Sequence, residues 1–332
     1  MKHPVYFGTY SKELFYGEFD SATDVLTITG SIKIESPSYI IKKNNILYGV
    51  SETSNFSENS GALFSIIIDN DGKLNLISMV ASNGKAPCHL CIQDDYIFTS
   101  NYSEGTLCIS SYDKDGRINP SSISIAHYGK SINADRQEQA HIHFAAMSPD
   151  LQYLAVCDLG LDKVFAYPYY VESGLSSKAQ VIDCPPGCGP RHLAFSSDGK
   201  SMYVLSEMGN TVLVFQSNND EINLTQVIPT IPADFTTISH AAAIHISPDK
   251  SLIAASNRGH DSIAVFRIKS DGTLEEPYHI MSGATPRDFR FSPDGTRILS
   301  ANQDSDTVTV HDIVTGEITG RLNLPTPVCI LF

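Results

Sequence analysis

The sequence predicts an all-β protein, a seven-bladed β-propeller that occupies residues 1–332 as a single domain. Three observations predict this fold. One segment pattern recurs with a period of about 45–50 residues, each copy contains four β-type runs separated by hairpin turns, and the two chain ends carry complementary parts of one copy.

The repeat is clearest in two stretches that align without a gap. GPRHLAFSSDGKSMYVLSEMGNTVLVF, from Gly189, matches TPRDFRFSPDGTRILSANQDSDTVTVH, from Thr285. Segments from Gln139 and His240 fit the same frame. The proline position of the unit falls at Pro37, Pro87, Ile142, Pro190, Ala241, Pro286 and Pro327. Seven copies predict seven blades.

Each unit contains the strands of one blade. An apolar run, a Ser-Pro-Asp-Gly type of turn and a second apolar run are followed by a short polar turn and a V-x-V-F run. A further turn precedes the fourth run, as in DNDGKL from Asp69 and DKDGRI from Asp113. Clusters of Gly, Asp and Asn between β-branched and aromatic runs are typical of β-hairpins. Four strands per unit, with no amphipathic helix, predict propeller blades.

The chain ends predict how the ring closes. The chain finishes with TPVCILF, one inner strand with nothing after it, and near its start VYFGTYSKELFYGEFD, from Val5, matches the second and third strands of a unit. The C-terminal strand is therefore expected to complete the N-terminal blade and to cover its edge. The chain contains no tryptophan, so the signature of WD40 propellers is missing.

Composition limits the classes of partner. A formal net charge of −14 argues against nucleic acid, which needs a basic face. No stretch approaches the roughly 20 apolar residues of a membrane span, and the N-terminus does not resemble a signal peptide, so we expect a cytoplasmic protein. The seven cysteines are expected to be free thiols. Cys88 and Cys91 lie three apart in a strand, and so face opposite sides instead of forming a metal knuckle.

The repeat predicts which side chains meet at the axis. The first strand of a blade lines the central channel, and the second returns to the face where the first began. The slot after the proline position holds Ser38, Cys88, His143, Arg191, Ala242, Arg287 and Val328. The slot at the end of the second strand holds Thr9, Glu52, Asn101, Asp158, Glu207, Asn257 and Asn302. The next residues are Tyr10, Thr53, Tyr102, Leu159, Met208, Arg258 and Gln303.

These slots predict a charged cluster around one mouth of the channel. His143, Arg191, Glu207, Arg258 and Arg287 come from neighbouring blades and are expected to converge. Convergent charged groups in a concave mouth are typical of a binding site. A simpler role, hydrogen bonding of the following turn, is expected for Asn101, Asp158 and Asn302.

His141 and His143 lie two residues apart at a strand start, so both side chains can face the same way. Such a pair can bind a metal, although no third ligand is evident nearby, and His141 can equally have a role in the core or a turn. His143 occupies the slot that holds arginine in two other blades, which points to a need for a titratable group on its blade.

The residues resemble the seven-bladed propeller lactonases of the bacterial cytosolic 6-phosphogluconolactonase type. The resemblance covers essentially the whole chain. It is carried by YFGTY at Tyr6, APCHL at Ala86, SNYSEG at Ser100, RQEQAHIH at Arg136, GPRHLAF at Gly189, SNRGHDSIAVF at Ser256, TPRDF at Thr285 and ANQDSDTV at Ala301. The related fungal carboxy-muconate lactonizing enzymes have a His, two Arg and a Glu at slots that correspond to His143, Arg191, Arg258 and Glu207.

The resemblance implies hydrolysis of a sugar δ-lactone, and 6-phosphogluconolactone is the expected substrate, within glucose metabolism. His143 is the expected base, and Glu207 either competes for that role or orients its neighbours. Arg258 and Arg191 suit the developing oxyanion or a carboxylate. Arg287 and Arg136 are candidates for phosphate binding, and His141 is a further candidate contact to the substrate. The chemistry requires no metal or cofactor.

Two other functions fit the same slots. A cycloisomerase would close a lactone on a muconate-like dicarboxylate, with the arginines holding carboxylates. A propeller without enzymatic activity would serve as a platform for protein binding, and it would carry large apolar patches on one face.

Overall fold

The computed structural model describes residues 1–121, 123–171, 174–218 and 221–332. It confirms the seven-bladed β-propeller, with seven sheets that are each built on four antiparallel strands. The strands of blades 1 to 3 are Lys2–Thr9, Glu13–Asp20, Val25–Lys33 and Pro327–Leu331; Pro37–Lys43, Ile46–Ser51, Ala62–Ile68 and Leu74–Ala81; and Pro87–Gln93, Tyr96–Asn101, Thr106–Ser111 and Ile123–Ala126.

Blades 4 to 7 continue the order around the ring. Their strands are Ile142–Met147, Tyr153–Asp158, Lys163–Tyr170, Gly174–Leu175 and Gln180–Asp183; Pro190–Phe195, Ser201–Ser206, Thr211–Asn218 and Glu221–Pro229; His240–Ile246, Leu252–Arg258, Ser262–Arg267 and Tyr278–Met281; and Pro286–Phe291, Arg297–Asn302, Thr307–Asp312 and Ile318–Asn323. Blade 4 has one additional short strand, and a 3-10 turn spans Gln303–Ser305. Among the described residues, no helix is long and apolar enough to cross a membrane.

The ring closes as the chain ends predict. Pro327–Leu331 pairs antiparallel with Lys2–Thr9, and Phe7 lies opposite Ile330. The last strand of the chain is the innermost strand of blade 1. It therefore covers the inner edge of Lys2–Thr9, which would otherwise be unpaired.

The apolar core lies between neighbouring sheets. Phe7 and Phe19 of blade 1, for example, pack in one buried cluster with Leu299 and Val310 of blade 7. The alternation of side chains along each strand sends apolar residues between the sheets. A different set of side chains faces the axis, and many of them are polar.

Polar side chains at the axis also bind the backbone of the innermost strands. Asp288 accepts a hydrogen bond from the amide of Ile330 at 3.0 Å, and Arg290 Nε donates to the carbonyl of the same residue at 2.8 Å. In the same way, Nδ1 of His89 accepts from the amide of Ala145 at 3.3 Å. Buried backbone groups need such partners where no further strand is available.

Candidate active site

A β-bulge at the start of each inner strand aims one side chain at the axis. In blade 5, Pro190 pairs with Ser206 and His192 with Leu205, so Arg191 is the extra residue. Bulges re-aim side chains in this manner and recur beside active sites. The equivalent extra residues are Ser38, Cys88, His143, Arg287 and Val328, and blade 6 has the irregularity between Ala241 and Ile244. These positions are the first slot of the sequence repeat.

A residue with a positive φ angle precedes the proline in five blades. The residues with positive φ before the proline are Ser36 at 47°, Ala86 at 50°, Gly189 at 64°, Thr285 at 57° and Thr326 at 39°. Only glycine adopts this region without strain, and β-branched threonine is an outlier there. The carbonyls of Ser36 and Gly189 accept hydrogen bonds from the amides of Glu52 and Glu207, at 2.9 and 2.8 Å. In these two blades the turn thus fixes, at the mouth, the residue that follows the second strand.

The predicted last residue of the second strand is wrong by one position in two blades. Ser51 and Ser206 lie opposite the prolines of blades 2 and 5, where the sequence comparison placed Glu52 and Glu207. Each glutamate lies one position beyond the ladder. The two therefore belong to the mouth ring that also contains Tyr10, Tyr102, Leu159, Arg258 and Gln303.

Three arginines surround Glu207. Its Oε1 accepts a hydrogen bond from Arg136 Nη2 at 2.6 Å, and its Oε2 lies 2.9 Å from Arg258 Nη2 and 3.0 Å from Arg191 Nε. The residue is only 2% exposed. Burial alone would raise the pKa of its carboxyl group, but Arg258, Arg191 and Arg136 hold that pKa well below its usual range. Glu207 is therefore an ionised support for the arginines.

The backbone of blade 6 fixes two of these arginines. Arg191 Nη1 donates to the carbonyl of Ala242 and, at 3.1 Å, to Nε2 of His192. Arg258 Nη2 donates to the carbonyl of Ala241 at 3.2 Å. Burial and the neighbouring arginines lower the pKa of Arg191 to about 10, so it remains charged at neutral pH.

His143 lies beside this cluster as a buried, neutral imidazole. Its Nδ1 lies 3.8 Å from Cys88 Sγ, and its ring meets those of His192 and Tyr102 edge-on, at 5.3 and 5.5 Å between centroids. Burial, followed by the charge of Arg191, lowers the pKa of His143 well below the usual histidine range. An imidazole of this kind is available as a proton acceptor at neutral pH.

His141, which the sequence makes a candidate contact to the substrate, has a protein group near each of its ring nitrogens. Its Nδ1 is 3.0 Å from the carbonyl of Tyr102, its Nε2 is 3.3 Å from Glu138 Oε1, and its ring stacks on the Tyr102 ring at 4.4 Å. Within the described part of the chain, no group of three or more His, Cys, Asp or Glu residues is arranged to hold a metal ion.

Across the mouth lies a group to which sequence reasoning assigned no role, apart from its arginine. The guanidinium carbon of Arg287 lies 4.9 Å from the centroid of the Tyr10 ring. The Tyr10 hydroxyl donates to both carboxylate oxygens of Glu52, at 3.0 and 3.1 Å. Tyr10 and Glu52 stood in the aligned slots, so their positions were visible in the sequence although their contact was not.

A small cavity lies on the axis between these two groups, and we call it the axial cavity. Its volume is about 20 Å³. Glu52, His192 and Asp288 are among the residues that line it. Six bulge positions line it as well: Ser38, Cys88, His143, Arg191, Arg287 and Val328. The structure thus brings His143, Arg191, Glu207, Arg258 and Arg136 into one connected group, with Arg287 on the same cavity as His143 and Arg191.

Comparison with known proteins gives a family match over almost the whole chain. The profile of the family described as "Lactonase, 7-bladed beta-propeller" matches residues 4–332. A 6-phosphogluconolactonase of Bacillus subtilis is 32% identical over 350 residues, which cover 100% of this chain and 98% of that protein.

Solved structures show the same likeness in three dimensions. The periplasmic gluconolactonase of Pseudomonas aeruginosa superposes with a TM-score of 0.91 at 30% identity, covering 100% of this chain and 99% of the other. A candidate 6-phosphogluconolactonase of Bacteroides fragilis also has a TM-score of 0.91, at 28% identity, with 100% and 98% of the two chains covered.

Proposed function

The chain belongs to the family of seven-bladed β-propeller lactonases, and we propose that its substrate is 6-phospho-D-glucono-1,5-lactone, which it hydrolyses to 6-phosphogluconate. The observation that supports an anionic substrate most directly is the Glu207 cluster. Three guanidinium groups around one carboxylate leave an excess of positive charge at the mouth of a chain whose net charge is −14. Such a local field attracts anions despite the total charge. A phosphorylated lactone is an intracellular metabolite, so this function implies the cytoplasm.

The proposed reaction uses His143 as the proton acceptor. A water molecule forms a bond to the lactone carbonyl carbon while one of its protons passes to the imidazole. The bond between the carbonyl carbon and the ring oxygen then breaks, and the imidazolium returns its proton to that oxygen as a hydroxyl group. The new carboxylic acid ionises and releases one proton to solvent.

Arg258 and Arg191 are proposed to stabilise the negative charge that develops on the carbonyl oxygen. Guanidinium groups fixed in advance by protein contacts need little reorganisation during the reaction. Glu207 and the carbonyls of Ala241 and Ala242 supply those contacts. Of the two roles that the sequence left open for Glu207, the orienting role fits its ion pairs.

The two arginines proposed for phosphate lie in different places. The side chain of Arg136 is 35% exposed at the rim, where it also lies 3.4 Å from the Tyr102 hydroxyl. Arg287 instead lines the axial cavity. Because the phosphate is the group farthest from the lactone carbonyl, we propose Arg136 as its ligand and assign Arg287 to the carbonyl end of the substrate.

The proposal is tested by following proton release on freshly prepared 6-phosphogluconolactone. The wild-type protein should accelerate ring opening well above the spontaneous rate. His143→Ala and Arg258→Ala should each lower kcat/KM by about 100-fold or more, in the range found for lost acid–base and oxyanion groups.

The matched control is His3→Ala. His3 lies at the opposite end of the strand that reaches the mouth at Thr9, and the variant should retain wild-type activity. Absence of any rate above spontaneous opening would remove the proposed substrate, and turnover of a muconate in parallel assays would favour the cycloisomerase alternative.

A further inference from the structure

We propose that the axial cavity binds the water molecule that attacks the lactone, and that Glu52 is the fixed acceptor that orients it. This inference rests on the proposed lactone hydrolysis and adds the site of its nucleophile. The cavity volume of about 20 Å³ has room for about one water molecule and none for a sugar ring. The lactone must therefore lie at the mouth, above the cavity.

Unpartnered polar atoms around the cavity indicate that it is a water site. Ser38 Oγ and His192 Nδ1 form no hydrogen bond within the described residues, and the two residues are only 4% and 5% exposed. Nε2 of His192 accepts from Arg191, so its Nδ1 carries the proton in the neutral ring. Buried polar groups that lack a protein partner are usually satisfied by an ordered water.

Glu52 differs from Glu207 in having no cationic partner. Within the described parts of the chain, no Lys, Arg or His nitrogen lies within ion-pair distance of Glu52, and its side chain accepts hydrogen bonds only from the Tyr10 hydroxyl. Tyr10 therefore fixes the direction of the carboxylate but leaves acceptor sites on both oxygens. Since Glu52 lines the axial cavity, these sites are available to a water molecule there.

The chemistry of hydrolysis needs a water held by two acceptors. The water donates one hydrogen to Glu52 and the other to the neutral imidazole of His143, which lines the same cavity. The water accepts one hydrogen bond from the groups that line the cavity, and its second lone pair is directed towards the lactone carbonyl carbon. When the carbon–oxygen bond forms, the proton on the His143 side moves to the imidazole, while Glu52 keeps its hydrogen bond and takes no proton. The reaction therefore balances as in the proposed mechanism.

The deciding experiment fills the cavity without removing a charged group. In Ser38→Val, kcat for 6-phosphogluconolactone should fall about 100-fold, the scale of a reacting group misplaced by about 1 Å. The KM, and the Kd of 6-phosphogluconate measured by calorimetry, should change less than about 2-fold because the sugar binds above the cavity. Ser38→Ala, which removes one hydrogen bond but leaves the space, should lose about 5-fold in kcat.

The matched control is Ser110→Val. Ser110 is 1% exposed and its Oγ also lacks a partner among the described residues, but it lies on the third strand of blade 3, away from the axis. This variant should keep the wild-type kcat. Glu52→Gln tests the acceptor, and it should lower kcat about 10-fold or more with the Kd of 6-phosphogluconate unchanged.

Circular dichroism checks that each variant folds, and Val328→Ile fills the cavity from blade 1 if Ser38→Val does not fold. Wild-type kcat in a folded cavity-filling variant would overturn the water site, as would a loss that appears only in KM. Failure of the proposed function is distinct, because the wild-type protein itself would then show no rate above spontaneous opening.

Discussion

Arg136 Nη2 donates a hydrogen bond to Oε1 of Glu207 over 2.6 Å, and this contact joins the loop before blade 4 to the end of the second strand of blade 5. One partner is 35% exposed at its side chain and the other 3%. The pair thus connects the solvent-facing rim to the buried arginines, so a single carboxylate organises groups that belong to three separate parts of the repeat.

Replacing this carboxylate is expected to damage both activity and stability. In Glu207→Gln, the arginines lose their shared counter-charge, and removing one partner of a buried ion pair costs about 3–5 kcal/mol. We expect the free energy of unfolding to fall by about 3 kcal/mol and kcat/KM by about 100-fold, measured by urea unfolding and by proton release. The acid limb of the pH profile should persist but move to lower pH, because the proton acceptor is His143 and the charge of Glu207 raises the pKa of His143.

The control for this variant is Glu18→Gln, which removes an exposed ion pair with Lys2 and should cost less than about 1 kcal/mol. A Glu207→Gln enzyme whose rate no longer depends on pH would instead identify Glu207 as the base.

The pH dependence of activity should report His143. Burial and the charges of Arg191 and Arg287 lower the pKa of its imidazole, so the neutral form persists below the ordinary histidine value near 6.5. We expect kcat/KM to stay constant as the pH falls through 6.5 and to decline only at lower pH. Arg287→Gln removes one positive charge, which should raise the pKa of His143 and move the acid limb upwards. A limb at 6.5 in the wild type, or a downward shift in the variant, would contradict the assignment.

Arg136 should discriminate phosphorylated from unphosphorylated lactones. Arg136→Ala removes a charge-assisted contact at the rim, which is worth about 1.5–3 kcal/mol. We therefore expect kcat/KM for 6-phosphogluconolactone to fall about 10- to 100-fold and the value for glucono-1,5-lactone to fall much less. Arg321→Ala, an exposed arginine on the outer strand of blade 7, is the control and should affect neither substrate. Equal losses on both substrates would assign Arg136 to holding Glu207 alone.

The blade count and the first slot could be predicted because both depend on local patterns. Hairpin turns and alternating runs repeat without gaps from Gly189 and from Thr285, so Arg191 and Arg287 align by simple counting. The bulge that turns these side chains inwards has no sequence signature of its own. It shifts the strand pairing by one residue in both blades alike, so the aligned repeats contain no gap that would reveal it.

Contacts between distant segments could not be predicted in the same way. The sequence placed Glu207 at the end of the second strand, but Ser206 is the residue that lies opposite Pro190, and Glu207 follows it. Residue type alone does not reveal which of two consecutive residues is the last to pair. The stacking of His141 on Tyr102 depends on the distance between two blades. The pairing of Tyr10 with Glu52 does so as well, which is why sequence reasoning assigned no role to either.

Arg290 should be important for closing the ring. Its Nε binds the carbonyl of Ile330 in the last strand, and its Nη1 donates to Nδ1 of His245 at 3.0 Å, whose Nε2 is in turn 2.8 Å from Asp288. Arg290→Met would leave the Asp288 carboxylate buried without its cation, so we expect a loss of about 3 kcal/mol in the free energy of unfolding. Urea unfolding would measure it, and an unchanged midpoint would show that the β-ladder alone holds the last strand.

Stability should decrease on mild acidification because three histidines are buried at the axis. Burial lowers the pKa values of His89, His143 and His192 well below 6.5, whereas in the unfolded chain they return to about 6.5. Below pH 6.5 the unfolded state then binds more protons than the folded state, so the free energy of unfolding falls, by up to about 1.4 kcal/mol per pH unit for each histidine. Urea unfolding at pH 7.5, 6.5 and 5.5 should show this decline. This decline occurs at higher pH than the protonation of Glu207, because the pKa of that carboxyl group is lowered.

His89→Asn is the variant that tests the contribution of one histidine. Its side chain can still accept a hydrogen bond from the amide of Ala145, and the slope of the unfolding free energy below pH 6.5 should be smaller by the contribution of one histidine. A free energy of unfolding that stays constant from pH 7.5 to 5.5 would show that the axial histidines bind protons equally in the folded and unfolded states, and that burial does not lower their pKa values.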